Sequence, residues 1–257
     1  MSSPNALAER LVALDRPLLV ALDVDGTISP IVRDPDRAQI PEPTLSVLAE
    51  LAEIPGIVLA FITGRDFDSL RRMEQLDGVW RAVEHGGVVL APDERPGDRL
   101  LPEPQRKALE AFRAWADEQA SDAFVEYKPQ AIALHVRAIA MRDPERAEYL
   151  MREADTLAKG LGLHVRRGKA LREAEVVPSD KGRALAEILE RSGARSVFFV
   201  GDDLTDFPAI ELATQRGVGA FVRSTEQRGT PARSAEVLDG VGEVAEVLQK
   251  LLALLHR

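Results

Sequence analysis

The 257-residue chain contains no cysteine. This absence excludes disulfide bonds, thiolate metal sites and cysteine nucleophiles. The chain also lacks an apolar run close to the ~20 residues that a membrane-spanning helix needs, so we expect no membrane partner. Residues 1–14 include Glu9 and no apolar stretch long enough for a signal peptide, and a cytoplasmic protein is therefore expected.

Runs of lysine and arginine are missing as well, and the formal net charge is −9. Because affinity for nucleic acids comes largely from the neutralisation of phosphates, this composition predicts no nucleic-acid partner. Internal repeats and low-complexity segments are also lacking. Hydrophobic residues make up 45% of the chain, which suits one large α/β domain or one domain that carries an insert. The oligomeric state is left open, with a monomer favoured.

Short apolar runs that end abruptly in polar residues are the main positive feature. Asp23 and Asp25 follow residues 18–22, Thr63 follows residues 57–62, and Asp202, Asp203 and Asp206 follow residues 196–200. Strands that are apolar on both faces belong in the middle of a parallel sheet. In such sheets, ligands bind past the carboxyl ends of the strands. The pattern predicts an α/β fold with a doubly wound parallel sheet.

A different pattern occupies the middle of the chain, where two helical segments alternate with two pairs of strand-like segments. We predict a catalytic core from residues 1–103 and 178–257, with a smaller α+β cap domain, residues 104–177, inserted into it. One predicted strand covers residues 131–137, and its alternation places His135 and Arg137 on the same polar face. That face is either a solvated sheet surface or a contact surface for a sugar.

The acidic residues at the strand ends predict a metal site. Two like charges ~4 Å apart repel by about 4 kcal/mol at an effective dielectric constant near 20. A cation with oxygen ligands relieves that repulsion, and Mg²⁺ binds through one or two carboxylates together with water and phosphate oxygens. The predicted metal-site residues are Asp23, Asp25, Asp202, Asp203 and Asp206.

With the metal bound, one carboxylate could attack phosphorus while another, two residues away, transfers protons. Thr27, Thr63 and Lys181 offer donors for the phosphoryl oxygens, and each lies beside a glycine. Each residue also has a simpler explanation when taken alone. Thr63 could be a helix N-cap, Lys181 a solvated lysine at a helix start, and the aspartates a turn or a helix N-terminus.

The ordered segments Asp23–Thr27, Thr63–Arg65, Lys181–Gly182 and Gly201–Asp206 resemble the four motifs of the haloacid dehalogenase (HAD) superfamily of phosphatases. The resemblance implies that Asp23 is the nucleophile and Asp25 the general acid and base, and that Thr63 and Lys181 hold the phosphate. It also implies that Asp23, the Asp25 carbonyl and Asp202 bind Mg²⁺, with Asp203 and Asp206 in support.

Within that superfamily, other segments resemble the trehalose-6-phosphate phosphatase family. They are Ser29–Val32, Glu84–Gly87, Glu126-x-Lys128, His135-x-Arg137 and Gly168–Glu173. The implied reaction is Mg²⁺-dependent hydrolysis of a sugar phosphate, trehalose 6-phosphate, through an aspartyl-phosphate. The predicted substrate contacts are Thr27, Gly64, Arg65, His85, Glu126, Lys128, His135, Arg137, Lys169 and Glu173.

The chain departs from the family pattern at two places that concern the sugar more than the reaction. Phe207-Pro208 replaces an acidic pair, and Glu175-Val176 replaces arginine-proline. Phosphatases for sucrose phosphate or a glycosyl-phosphoglycerate are therefore alternatives, as is a regulator that binds a sugar phosphate without turnover.

Overall fold

The computed structural model describes residues 3–32, 34–97, 101–223 and 235–256. Two compact units make up the chain, one formed by Met1–Glu94 with Asp180–Arg257 and the other by Arg95–Ser179. The described α-helices are α1 (Pro4–Val12), α2 (Glu42–Ala52), α3 (Phe67–Met73), α4 (Glu103–Gln119), α5 (Arg137–Ala140), α6 (Pro144–Gly160), α7 (Lys181–Ser192), α8 (Phe207–Arg216) and α9 (Gly240–Leu255). The described strands are β1 (Leu18–Leu22), β2 (Ile57–Ile62), β3 (Trp80–Val83), β4 (Val88–Leu90), β5 (Phe124–Tyr127), β6 (Ala131–His135), β7 (His164–Gly168), β8 (Leu171–Glu175), β9 (Ser196–Gly201), β10 (Gly217–Arg223) and β11 (Glu236–Asp239).

The first unit is built on a sheet with the strand order β11-β10-β9-β1-β2-β3-β4. Its strands pair in parallel except at the edge, where β4 runs antiparallel to β3. Strand β1 lies in the middle, between β9 and β2, and is buried along its whole length. The predicted α/β class with a mostly parallel sheet is confirmed.

Both faces of this sheet are covered, which explains why β1 has no polar side. Leu18, Val20 and Leu22 belong to the core that α1, α2 and α9 form on one face. Leu19 and Ala21 belong to the core on the other face, with α7 and α8. Alternate side chains of one strand thus enter two different cores, and a continuous apolar run is the result.

The second unit contains an antiparallel sheet with the order β5-β6-β8-β7. Ile132, Leu134 and Ala174 from its inner strands pack with Phe112 of α4 and Leu150 of α6 in one core. Both helices therefore lie against the same face of the sheet. The opposite face carries the alternate positions of the strands, including those of Glu126, His135 and Glu173.

The structure corrects one predicted strand and adds two strands that the sequence did not indicate. The strand predicted for residues 131–137 ends at His135, and Arg137 begins the short helix α5. Val136 and Ile139 are both buried, which is a helical spacing rather than the alternation of a strand. Strands β4 and β11 were not predicted.

Within the described ranges, no helix combines the length and apolarity needed to span a bilayer.

Candidate active site

The loop after β1 brings two aspartates to the carboxyl edge of the parallel sheet. The Asp23 N–H donates to the Val200 carbonyl at 2.9 Å, so the pairing of β1 with β9 continues one residue past the strand. Gly26 has a φ of +80°, and a Cβ at this position would lie 2.0 Å from Asp202 Oδ2. Glycine at position 26 therefore allows the loop after β1 to approach the residues after β9.

Asp23 is buried and held by two donors. Lys181 Nζ donates to Asp23 Oδ1 at 2.7 Å, and Thr27 Oγ1 donates to Asp23 Oδ2 at 3.3 Å. The same ammonium donates to Asp206 Oδ1 at 2.6 Å. Lys181 thus joins the ends of β1 and β9 by charge-assisted hydrogen bonds.

Lys181 owes its position to the start of α7. Asp180 is the N-cap, and its side chain accepts from the Arg183 N–H at 2.7 Å. A Cβ on Gly182 would lie 2.8 Å from the Pro208 Cβ, so glycine lets the first turn of α7 pack closely against α8. The alternative of a solvated lysine is wrong, because Lys181 is only 3% exposed.

A tight turn after β9 supplies the second group of carboxylates. Asp203 caps a short 3-10 helix at Leu204–Asp206, and the Asp203 N–H donates to Asp206 Oδ2 at 2.9 Å. This reciprocal capping satisfies two backbone donors and directs the buried Asp206 inward. Asp203 therefore does mark the start of a helix, which was the simpler explanation for this residue, and its Oδ1 accepts from the Leu204 N–H.

Asp23, Asp202 and Asp206 form a buried cluster in which the three nearest carboxylate oxygens lie within 4.8 Å of one another. Burial raises the pKa of Asp23 to about 8, although the Lys181 ammonium opposes this shift. Burial and the neighbouring Asp206 raise the pKa of Asp202 to about 7. One ammonium is thus too little positive charge for three carboxylates, and a hard divalent cation fits the all-oxygen donor set.

Thr63 lies at the end of β2, where its side chain is buried. Its Oγ1 accepts from the Arg65 N–H at 3.2 Å, and its carbonyl accepts from the His85 N–H at 2.9 Å. A Cβ on Gly64 would lie 2.5 Å from His85 Cε1, so the imidazole packs directly against Gly64. Thr63 is not the N-cap of α3, because Asp66 fills that role.

Asp25 has different surroundings from Asp23. Its side chain is 40% exposed, and both of its oxygens accept from Arg65. The Nε–Oδ2 and Nη2–Oδ1 distances are each 2.7 Å, which is a bidentate ion pair. The sequence grouped Arg65 with the substrate contacts and gave no sign of this pair, because its partners are 40 residues apart.

The predicted sugar-contact residues of the second unit lie mainly on the sheet face opposite the helices. Across the strands, Glu126 is in register with Ala133, Glu173 and Arg166. Lys128 Nζ lies 2.7 Å from Glu173 Oε1, and Arg166 also pairs with Glu173. Burial alone would raise the pKa of Glu173, but the two cations outweigh it and leave that pKa below its ordinary value.

His135 Nε2 lies 3.4 Å from Glu126 Oε2 on the same face. Arg137 and Lys169 are exposed, in α5 and in the turn between β7 and β8. Sequence reasoning missed Arg166, whose Nε lies 3.1 Å from Glu175 Oε1. The β7–β8 register across the hairpin was the signal that could have found it.

Comparisons with known proteins extend these observations. A family model described as trehalose-phosphatase matches residues 21–239. The chain is 30% identical over 257 residues to a trehalose-phosphate phosphatase of Mycobacterium tuberculosis, covering 95% of this chain and 63% of that protein. It is 34% identical over 230 residues to a protein of the same species described as an uncharacterized glycosyl hydrolase, covering 85% of this chain and 17% of that protein. The chain thus spans less than two thirds of the length of either relative.

Solved structures show the same fold. The chain is similar to the Aspergillus fumigatus trehalose-6-phosphate phosphatase with a TM-score of 0.74 and 23% identity, covering 98% of each chain. A haloacid dehalogenase-like hydrolase from Bacteroides thetaiotaomicron matches with a TM-score of 0.64 and 17% identity, covering 91% of this chain and 98% of that one.

Proposed function

The chain belongs to the trehalose-phosphatase family, and we propose that it hydrolyses trehalose 6-phosphate to trehalose and phosphate in a Mg²⁺-dependent reaction. The observation that carries this proposal is the buried Asp23 carboxylate at the strand ends. It lies against Lys181 and Thr27 and within one acidic cluster with Asp202 and Asp206. A carboxylate with this setting suits attack on phosphorus.

In the proposed first step, an Asp23 oxygen forms a bond to phosphorus as the bond from phosphorus to the sugar oxygen breaks. Asp25 donates a proton to that sugar oxygen, so trehalose leaves as a neutral alcohol. In the second step, Asp25 takes a proton from water, whose oxygen displaces Asp23 from phosphorus. The net reaction consumes one water and returns both aspartates to their starting states.

The other residues of the proposed site stabilise negative charge. Thr63 and Lys181 are proposed to donate to the phosphoryl oxygens, where charge is greatest during transfer. Asp23, the Asp25 carbonyl and Asp202 would hold Mg²⁺, with Asp203 and Asp206 in support. When bound, that ion would neutralise the carboxylates and polarise a phosphoryl oxygen.

We further propose that residues 104–177 act as the inserted cap that selects the sugar. A disaccharide needs a donor or an acceptor for each hydroxyl that loses water. Glu126, Lys128, His135 and Glu173 offer such groups on one sheet face. Arg137 and Lys169 are also retained as proposed contacts, as are Gly64 and His85 of the first unit. The cytoplasmic location and the monomer stay predictions.

A substrate panel tests the proposal. Phosphate release is measured with trehalose 6-phosphate, sucrose phosphate and a glycosyl-phosphoglycerate, each with Mg²⁺ and with EDTA. We expect kcat/KM for trehalose 6-phosphate to exceed the others at least about tenfold, or about 1.4 kcal/mol, and to vanish with EDTA. Preference for another sugar phosphate would overturn the substrate, and binding without turnover would identify a regulator.

A further inference from the structure

The bidentate pair between Arg65 and Asp25 has a geometry that the proposed chemistry can use. A guanidinium that binds a carboxylate through two N–H groups fixes both its position and its plane. The third guanidinium nitrogen of Arg65 is also hydrogen-bonded, since Nη1 donates to Ser69 Oγ at 2.9 Å. The carboxylate of Asp25 is therefore oriented by a group that is itself held at a second point.

Arg65 is anchored by the backbone around it. Its N–H donates to Thr63 Oγ1, and its carbonyl accepts from the Glu84 N–H at 2.8 Å. Ser69 lies in the first turn of α3, where its N–H donates to the N-cap Asp66 at 2.8 Å. The Arg65 side chain is only 10% exposed. The guanidinium thus connects a strand end and a helix start to the more exposed Asp25.

Proton transfer depends on such orientation. A general acid must lie within about 2.6–3.2 Å of the atom that receives its proton. Asp25 belongs to a loop rather than a strand, and its side chain is partly in solvent, so packing alone restrains it weakly. The two oxygens of a carboxyl group offer about four lone-pair sites, of which two accept from Arg65, and one of the others can carry the proton that Asp25 transfers.

We infer that Arg65 is a positioning residue for Asp25, aiming its carboxyl group at the leaving sugar oxygen and afterwards at the attacking water. This inference rests on the proposed phosphatase function and on the acid–base role of Asp25 within it. It replaces the direct substrate contact that the sequence suggested for Arg65. Arg65 then acts on the reaction through Asp25, not by binding the phosphate.

Leaving groups distinguish positioning from substrate binding. A sugar alcohol needs a proton as it leaves, whereas 4-nitrophenolate leaves readily without one. For Arg65→Met we expect kcat with trehalose 6-phosphate to fall at least about tenfold further than kcat with 4-nitrophenyl phosphate. The upper limit of this difference is the whole contribution of general acid–base catalysis, which is typically about 10²–10⁴-fold. KM should change little for either substrate. Arg65→Lys should recover only part of the loss, because an ammonium lacks the planar fork.

Three further variants complete the experiment. Asp25→Asn should show the same leaving-group dependence, and adding Arg65→Met to it should cost little more, because both changes disable one unit. Arg72→Met, which removes an exposed arginine of the neighbouring helix α3, should behave as wild type with both substrates. Thermal unfolding of each variant shows whether the fold is retained.

The outcomes separate the two levels of the proposal. If wild type releases phosphate but Arg65→Met raises KM for both substrates, or if the losses from Arg65→Met and Asp25→Asn multiply, Arg65 does not act through Asp25. Equal falls in kcat for both substrates with a lowered melting temperature would also overturn the inference in favour of a structural role. A wild-type chain that releases phosphate from neither substrate would overturn the proposed function itself.

Discussion

Replacing Lys181 with methionine should destabilise the metal-free protein strongly. Its Nζ lies 2.7 Å from Asp23 Oδ1 and 2.6 Å from Asp206 Oδ1, and the residue is 3% exposed. Removing one partner of a buried ion pair typically costs about 3–5 kcal/mol, because the remaining charge stays buried without compensation. At about 2–4 °C per kcal/mol for a chain of this size class, the melting temperature should fall by about 6–20 °C.

The loss should grow as the pH rises. At low pH, Asp23 can bind a proton and become neutral, so less charge is left uncompensated. At higher pH, the folded variant must either keep the Asp23 proton or bury the charge, since burial raises the pKa of Asp23 to about 8, and its free energy of unfolding falls. Saturating Mg²⁺ should raise the melting temperature of Lys181→Met more than that of wild type, because it supplies the missing positive charge.

Thermal and urea unfolding at several pH values, with EDTA and with Mg²⁺, would measure these effects. Lys250→Met, which removes an exposed lysine of α9, is the matched control and should change stability by no more than about 0.5 kcal/mol. A loss for Lys181→Met no larger than that of the control, or one that shrinks with rising pH, would refute the electrostatic reasoning.

Three more predictions concern the nucleophile, the cation and the sugar. Asp23→Asn should abolish phosphate release without lowering the melting temperature in EDTA at about pH 7, since the folded protein already favours a neutral group there; circular dichroism and phosphate assays check both. The free energy of unfolding of wild type in EDTA should fall as the pH rises from about 4 to about 8, because the pKa values of Asp23 and Asp202 are raised to about 8 and about 7 in the folded state. The rise in melting temperature on adding Mg²⁺ should therefore be larger at about pH 8 than at about pH 5. The same rise at both pH values would count against cation binding by these carboxylates. Glu173→Gln should raise KM for trehalose 6-phosphate about tenfold (about 1.4 kcal/mol) and leave KM for 4-nitrophenyl phosphate unchanged. Glu148→Gln, which changes an exposed residue, should alter neither KM. Equal effects of Glu173→Gln on both substrates would contradict a role in sugar binding.

The carboxyl edge of the parallel sheet was predictable from sequence. Apolar runs on both sides of the chain's middle segment ended in polar residues, and parallel pairing brings such ends to one edge. Asp23 and Asp202 follow adjacent strands, and the structure has them in one cluster. Lys181 was harder, because α7 supplies it 158 residues after Asp23, and it does not follow one of the apolar runs.

Features that depend on partners distant in sequence were not predictable. The Arg65–Asp25 pair joins two loops, and no periodicity connects them. The Lys128–Glu173 pair joins residues that are 45 positions apart in the sequence. Strand β4, with three residues at the sheet edge, was too short to show an alternating pattern. Arg137 was misplaced because Val136 continues the apolar alternation of Ile132 and Leu134 past the end of β6.

The proposed role of Asp23 as nucleophile is tested most directly by trapping the intermediate. The protein is mixed with trehalose 6-phosphate and Mg²⁺, quenched in acid during turnover and digested, and its peptides are weighed by mass spectrometry. The proposed mechanism predicts one phosphoryl group on the peptide that contains Asp23, and none in Asp23→Asn. Steady phosphate release with no phosphoryl group on that peptide, or with the group on another residue, would contradict it.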